Sequence, residues 1–419
     1  MLGAPVVEHR FSLITQPLRY HALEPYFAHV RDRGIVGITL GEFDSRHALL
    51  FQEFERLGLS FRDRLQAALG GLLADLHDQF LDLARITEVD VIICDLVSDD
   101  GVAGFGFSYA IGGRGVAALK ALDVMGRELV TGTQAVHPEA NWRRMKAACN
   151  RTGRGPNFVG LAALDVAYWD LHARNLEMSL GVAMGGVQRS VPVYGSGGYR
   201  PNQDLDTIAE QVQRHRKQGF KAVKLRLSGR PDDTKVIEAA RSVMGPDQWL
   251  MADMNEKGNL STARALIAAV LGNGGLFVEE PLPTEDVEGY RSLSRAFPGA
   301  IACGEHMQGC EVALPFIKDG LCGVIQPDLA MMGGLTESLR LARLAETFGI
   351  EVTPHFLPGL FVHLAAAAPN VTWLEDFPLL EPLFDNVPIA TSDGMLTAGS
   401  GAGHGLLLTS RAREQLISA

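Results

Sequence analysis

From about Ser190 onward, short apolar runs alternate with amphipathic stretches. The run VPVYGSGGY is followed by DLDTIAEQVQRHRKQ, whose apolar positions recur at helical spacing and which stops at Gly219, placed at the C′ position of a helix. The plan then repeats through KAVKLRL, WLMADMN, GLFVEEP, AIACGEH, GVIQPDL, IEVTPHF and VTWLEDF, nearly all separated by helical segments such as TKVIEAARSVM and LTESLRLARLAETF. Continuous apolar strands alternating with helices predict a parallel sheet with helices outside it. Counting VPVYGSG as the first, the strands number eight, and βα units of this size close as a TIM-type barrel with its active site at the C-terminal strand ends. The expected class is therefore α/β, a modified (β/α) barrel of seven to eight βα units over about residues 189–375.

Upstream, EVDVIICDLVSDDGVAGFGFSY reads as two antiparallel strands joined at Asp99-Asp100-Gly101. Helices follow, notably FVGLAALDVAYWDLHARNL, so residues 1–188 form an α+β unit separate from the barrel. Between about Leu23 and Arg85 a stretch rich in Leu, Phe, Arg and Asp predicts two or three helices inserted into that unit, with packing as its only assignable role.

Composition narrows the picture. The 419 residues leave room for a barrel of about 200 to 250 residues and a second unit. Hydrophobic residues at 47% and charged residues at 21% fit a soluble globular protein with a large core. A formal net charge of −11 argues against a nucleic-acid footprint, and it would repel an anionic substrate unless a cation reversed the field locally. Five cysteines without a CxxC pair indicate neither a disulfide framework nor a zinc knuckle, and fit a reducing cytoplasm. Charges at Glu8, His9 and Arg10 interrupt any secretory apolar run, and no apolar stretch reaches the roughly 20 residues of a membrane helix. The expectation is a cytoplasmic protein without membrane or nucleic-acid partners. The Gly-rich TAGSGAGHG near the C-terminus reads as a turn, since no helix clearly follows it.

The chemistry collects at the predicted strand ends. Asp253 ends WLMAD, Glu279 ends LFVE and Glu305 ends IACGE, each 26 residues from the next, so three acids recur once per βα unit and converge on one barrel face. Converging acids repel unless a cation joins them, and an all-oxygen set favours a hard ion, Mg²⁺ before Mn²⁺ or Ca²⁺. A single strand-end acid would more simply cap a helix or pair with Lys; three in register argue otherwise. The next two strands end on Asp328 and His355, a spacing that lets the carboxylate orient the imidazole as a general base. Glu375 closes the eighth strand, where it either hydrogen-bonds a developing enediolate oxygen if protonated or pairs with a cation. Lys224 and Arg226 share an inward face because side chains alternate along a strand. Lys224 is a candidate for binding a substrate carboxylate or donating a proton, whereas Arg226 cannot act as a base; pairing with Asp253 or Glu279 is the structural alternative for both. Asn255 stands to contact the metal shell or the substrate, and Tyr199 and Arg200 are positions that would set specificity.

In order along the chain, KLR around Lys224, ADMN, VEEP, GEH, IQPD followed by GG, TPH and WLE, together with SDDGVAGFGF upstream, resemble the enolase superfamily, mandelate racemase subgroup. The resemblance covers most of the chain. It implies Asp253, Glu279 and Glu305 as Mg²⁺ ligands, Asp328 and His355 as a catalytic dyad, and Glu375 as the enediolate partner. It also implies a barrel capped by an α+β domain over 1–188 and completed by a C-terminal segment, 376–419, with subunit contacts common by analogy. Arg226 departs from the pattern, which places a second Lys there, so the base on that face of the substrate is missing. Racemisation by two opposed bases loses support, and dehydration of an acid sugar to a 2-keto-3-deoxy acid, a lyase reaction, becomes the first expectation. A racemase, epimerase or cycloisomerase on the same scaffold is the runner-up, and a barrel that has lost its chemistry is the third reading. His306, directly after Glu305, and the inserted helices are expected to reshape the substrate pocket.

Overall fold

The computed structural model describes residues 7–17, 88–130, 133 and 137–418. The chain divides into two compact units, 1–16 with 89–419, and 17–88. The helices expected at about 23–85 fall within the second unit, which, apart from its end positions 17 and 88, lies outside the described residues.

Long runs buried continuously at 89–94 and 104–110, joined by a Gly turn, build the first sheet. Strands β1 (Val7–Pro17), β2 (Glu88–Ser98) and β3 (Ala103–Ile111) lie side by side, and the tail strand Ile417–Ser418 adds to the free edge of β1, with Ser12 opposite Ser418. The β2–β3 pair is antiparallel and turns at Gly101, whose φ of 85° suits glycine. Helices α1 (Gly115–Leu129), α2 (Pro138–Ala148) and α3 (Gly155–Asn175) follow, and Leu122, Trp142, Phe158, Leu164 and Leu171 share one core with Ile92, Cys94 and Leu96 of β2. The approach of α3 to β3 is so close that a Cβ on Gly106 would fall 2.1 Å from the Ala163 carbonyl oxygen. This fixes small residues at both surfaces.

The barrel comprises β4 (Ser190–Gly195), β5 (Ala222–Arg226), β6 (Trp249–Asp253), β7 (Gly275–Glu279), β8 (Ile301–Cys303), β9 (Val324–Ile325), β10 (Glu351–Val352) and β11 (Leu374–Asp376). Each is parallel to its neighbour, and β11 returns to pair with β4. The ring closes where the Val352 N–H donates to the Asn370 carbonyl at 2.8 Å and the Thr372 N–H donates to Val352 at 3.0 Å. The eight expected strands are therefore all present. The helix predicted after the first strand spans Leu205–Lys217, starts with the Asp204 side chain accepting the Thr207 N–H at 2.8 Å, and leaves Gly219 just beyond its end at φ 88°. The tail strand Met395–Thr397 runs antiparallel along β4.

Side-chain alternation sorts the interior into layers. Tyr194, Ala222, Met251, Phe277, Ala302 and Val324 form one apolar layer. Two residues further along, on the same inward face, stand Lys224, Asp253 and Glu279. An apolar floor thus lies beneath a charged upper layer.

Candidate active site

Asp253 and Glu279 are the last residues of β6 and β7, and Glu305 follows β8 after Gly304, whose φ of 133° only glycine adopts readily. All three are buried, and each offers a carboxylate oxygen within 4.8 Å of the others. Burial pushes each carboxyl above its ordinary value, Glu279 to about 7, with mutual repulsion adding to the effect. Glu279 Oε1 is buried without a hydrogen-bond partner. An orphaned oxygen inside a buried, all-carboxylate set fits a hard divalent cation bound through oxygen.

Cations from the same chain surround the acids. Lys224, fully buried, donates to Glu279 Oε2 and to Glu375 Oε1, the latter at 2.8 Å. Burial opposes its charge, but Glu279 and Glu375 override that and hold it as an ammonium. Arg226 lies 2.8 Å from Asp253 Oδ2 and also donates to Asn255 Oδ1. Asn255, at φ 40°, passes the contact on through Nδ2 to Asp253 Oδ2 at 3.2 Å and Glu305 Oε1 at 3.3 Å. Lys224 and Arg226 are thus both engaged in ion pairs with the acid cluster.

On the far side of the ring, His355 Nδ1 meets Asp328 Oδ2 at 2.8 Å and its Nε2 points at Glu305 Oε2, 3.2 Å away. Burial disfavours the imidazolium, yet Glu305 and the Asp328 hydrogen bond raise it to about 10. Glu375 is held at about 2: burial opposes its charge, and Lys224 and His355 overcome it. It accepts from Ser196 Oγ and, at 2.9 Å, from the N–H of Phe356, the residue after His355. Glu375 therefore stands here as a carboxylate paired with a cation.

Two residues unmarked in the sequence reading join the site. Tyr109, at the end of β3, donates its hydroxyl to Asp328 Oδ2, and Ser196 stands beside Glu375. The alternation of Phe105, Phe107 and Tyr109 along one face of β3 was the available signal for the first; nothing marked the second. His306 accepts a role beside the acids rather than among them, with Nδ1 2.9 Å from both Glu280 carboxylate oxygens; that hydrogen bond raises it to about 9. Tyr199 turns the other way: its hydroxyl lies 3.1 Å from His215 Nδ1 of the helix outside the barrel, and the two rings pack edge-on. The structure thus gathers Lys224, Arg226, Asp253, Asn255, Glu279, Glu305, Asp328, His355 and Glu375, sets His306 at their border and leaves Tyr199 apart.

Comparison with known proteins gives the family of the chain. The Enolase C-terminal domain-like family matches residues 207–412, and the Mandelate racemase / muconate lactonizing enzyme, N-terminal domain family matches residues 80–185. The chain is 30% identical over 336 residues to L-talarate/galactarate dehydratase of Salmonella typhimurium, covering 78% of this chain and 83% of that protein. It is 29% identical over 329 residues to 3,6-anhydro-alpha-L-galactonate cycloisomerase of Streptomyces coelicolor, covering 77% and 90%. Among solved structures, L-talarate dehydratase from Polaromonas sp. JS666, complexed with Mg and L-glucarate, superposes with a TM-score of 0.75 at 29% identity, over 80% of this chain and 94% of that one. With both domain families matched in order and the strand-end residues assembled as described, the chain belongs to the enolase superfamily, in its mandelate racemase subgroup.

Proposed function

We propose that this protein is a Mg²⁺-dependent acid-sugar dehydratase, a hydro-lyase in which His355 removes the α-proton of a sugar carboxylate. The observation that carries the reading is the position of His355, oriented by Asp328 through Nδ1 while Nε2 faces the acid cluster at Glu305. Asp253, Glu279 and Glu305 would hold the ion. Bound there, Mg²⁺ supplies a Lewis acid that acidifies the proton α to the substrate carboxylate.

The side chains divide the remaining work. His355 becomes available as a base once the charge of Glu305, the main influence raising it, is compensated. Its Nε2 then takes the α-proton, and the resulting imidazolium returns a proton to the departing β-hydroxyl, which leaves as water. The C–H electron pair becomes the new C=C bond, and the enol product ketonises to a 2-keto-3-deoxy acid. Lys224 stays an ammonium and offers positive charge to the developing enediolate. Glu375, which accepts from Ser196 Oγ, holds Lys224 and the Phe356 backbone in place. Arg226 stands where the family pattern has a second lysine and cannot take a proton from the opposite face. That asymmetry favours elimination over racemisation.

Cycloisomerisation on the same residues is the second reading, supported by the cycloisomerase relative. The five free cysteines, all buried, support a reducing cytoplasm, and no described helix is long and apolar enough to cross a membrane. Residues 1–188 and 376–419 are proposed as the cap over a barrel at 189–375, in a homo-oligomer that binds neither nucleic acid nor membrane. The test is a screen of purified protein with Mg²⁺ against mono- and diacid sugars, detecting 2-keto-3-deoxy products with a carbonyl reagent. A hit establishes the reaction; silence across the library, with α-deuterium exchange, moves the assignment to isomerisation.

A further inference from the structure

We propose that Tyr109, a residue of β3 outside the barrel, is a positioning residue for the His355–Asp328 pair: its hydroxyl fixes the orientation of the Asp328 carboxylate, and through it the direction of His355 Nε2. The inference rests on the reading of His355 as the base.

Asp328 is held at both oxygens. Oδ1 accepts the Met331 N–H at 2.9 Å as the cap of the short helix Leu329–Met332. Oδ2 is shared between His355 Nδ1 and the Tyr109 hydroxyl. A carboxylate bonded only to the histidine could rotate about its Cβ–Cγ bond and carry the ring with it; two further donors from different elements remove that freedom. Tyr109 is itself immobilised. It is buried, and its ring meets Phe356 edge-on, with centroids 5.1 Å apart and planes at 87°. Phe356 directly follows His355, and its N–H is bonded to Glu375. One tyrosine therefore touches the dyad carboxylate through its hydroxyl and the histidine's neighbour through its ring.

The backbone behind Asp328 is tied to the same part of the chain. Trp142 Nε1 donates to the Gly333 carbonyl at 2.7 Å, while the Thr336 N–H and hydroxyl donate to Asp165 at 2.8 and 2.7 Å. These bonds place the segment but leave the Asp328 side chain untouched. The ring of Tyr109 would pack on Phe356 equally well as phenylalanine, so packing does not account for the hydroxyl.

The experiment is Tyr109→Phe, which keeps the ring and deletes the donor. The thermal midpoint and the Mg²⁺-induced stabilisation should match wild type, while kcat falls about ten- to hundredfold, as for other partners that orient a reacting group, and KM stays within about twofold. Against an Asp328→Asn background, Tyr109→Phe should cost nothing further, because the two act on one contact. A readout free of turnover is the ¹⁵N spectrum of histidine-labelled protein, in which the His355 Nδ1–H resonance should move in Tyr109→Phe. Wild-type kcat in the single variant, losses that multiply in the double variant, or an unmoved His355 resonance would each overturn the proposal. If the wild-type protein dehydrates no acid sugar, the functional reading fails, and the His355 resonance still decides whether Tyr109 governs the dyad.

Discussion

Glu279→Gln deletes one of three clustered charges while keeping the shape of the side chain. Oxygens within 4.8 Å of one another repel by roughly 3.5 kcal/mol per pair at an effective dielectric of about 20. Glu279 belongs to two such pairs, so the change relieves up to about 7 kcal/mol. It also gives up the ion pair with Lys224, an attraction of comparable size at hydrogen-bond distance. The ion-free fold should therefore keep nearly its original stability, and the effect should appear on adding Mg²⁺. At a hundredfold excess over its Kd, an ion stabilises the wild type by about 2.7 kcal/mol. For 419 residues, an unfolding entropy of about 2.1 cal/mol/K per residue turns that into a rise in Tm of about 3 °C. If loss of Glu279 weakens binding about a hundredfold, the same concentration stabilises by only about 0.4 kcal/mol, under about 1 °C. Thermal unfolding of both proteins in EDTA and in Mg²⁺ measures the difference. An undiminished Mg²⁺ shift in Glu279→Gln would remove that residue from the ligand set and refute the charge argument.

His355→Asn should abolish turnover and keep the wild-type Mg²⁺ shift in Tm; retained activity would sink the mechanism. With one base, substrate recovered after partial turnover should contain no α-epimer by chiral chromatography, whereas accumulation of the epimer would reveal a second base opposite His355. Glu311 bridges Lys146 at 2.7 Å and Arg154 at 3.0 Å, and although burial works against its charge, these cations hold it at about 2 instead of its ordinary 4.5. A depressed carboxyl stabilises the fold above its unfolded value and loses that contribution as pH falls through its folded one. Glu311→Gln should thus cost under about 1 kcal/mol at pH 7, because the side chain is half exposed. Urea unfolding across a pH series should show the gap to wild type closing between about pH 4.5 and pH 2; a gap independent of pH would assign the loss to packing.

What the sequence made legible follows from how its pattern maps onto space. Asp253, Glu279 and Glu305 recur with the length of a βα unit, and in a closed parallel ring that period brings every strand end to the same face. Local alternation carries Lys224 and Arg226 inward by the same logic. Tyr109 lies 219 positions from Asp328, on a strand of another sheet, so its contact depends on how β3 and α3 dock against the barrel, which no periodicity encodes. Tyr199 shows the converse. It follows a strand end closely enough to look like a site residue, but Gly198 at φ 90° redirects the chain, and the ring settles on His215. A side chain within a strand inherits its direction from the pleat, whereas one in a strand-end loop takes it from a few backbone torsions. The converging strand-end acids and the Asp328–His355 pair are therefore readable from one sequence, and the side chains that meet them from other elements, such as Tyr109 and Ser196, require coordinates.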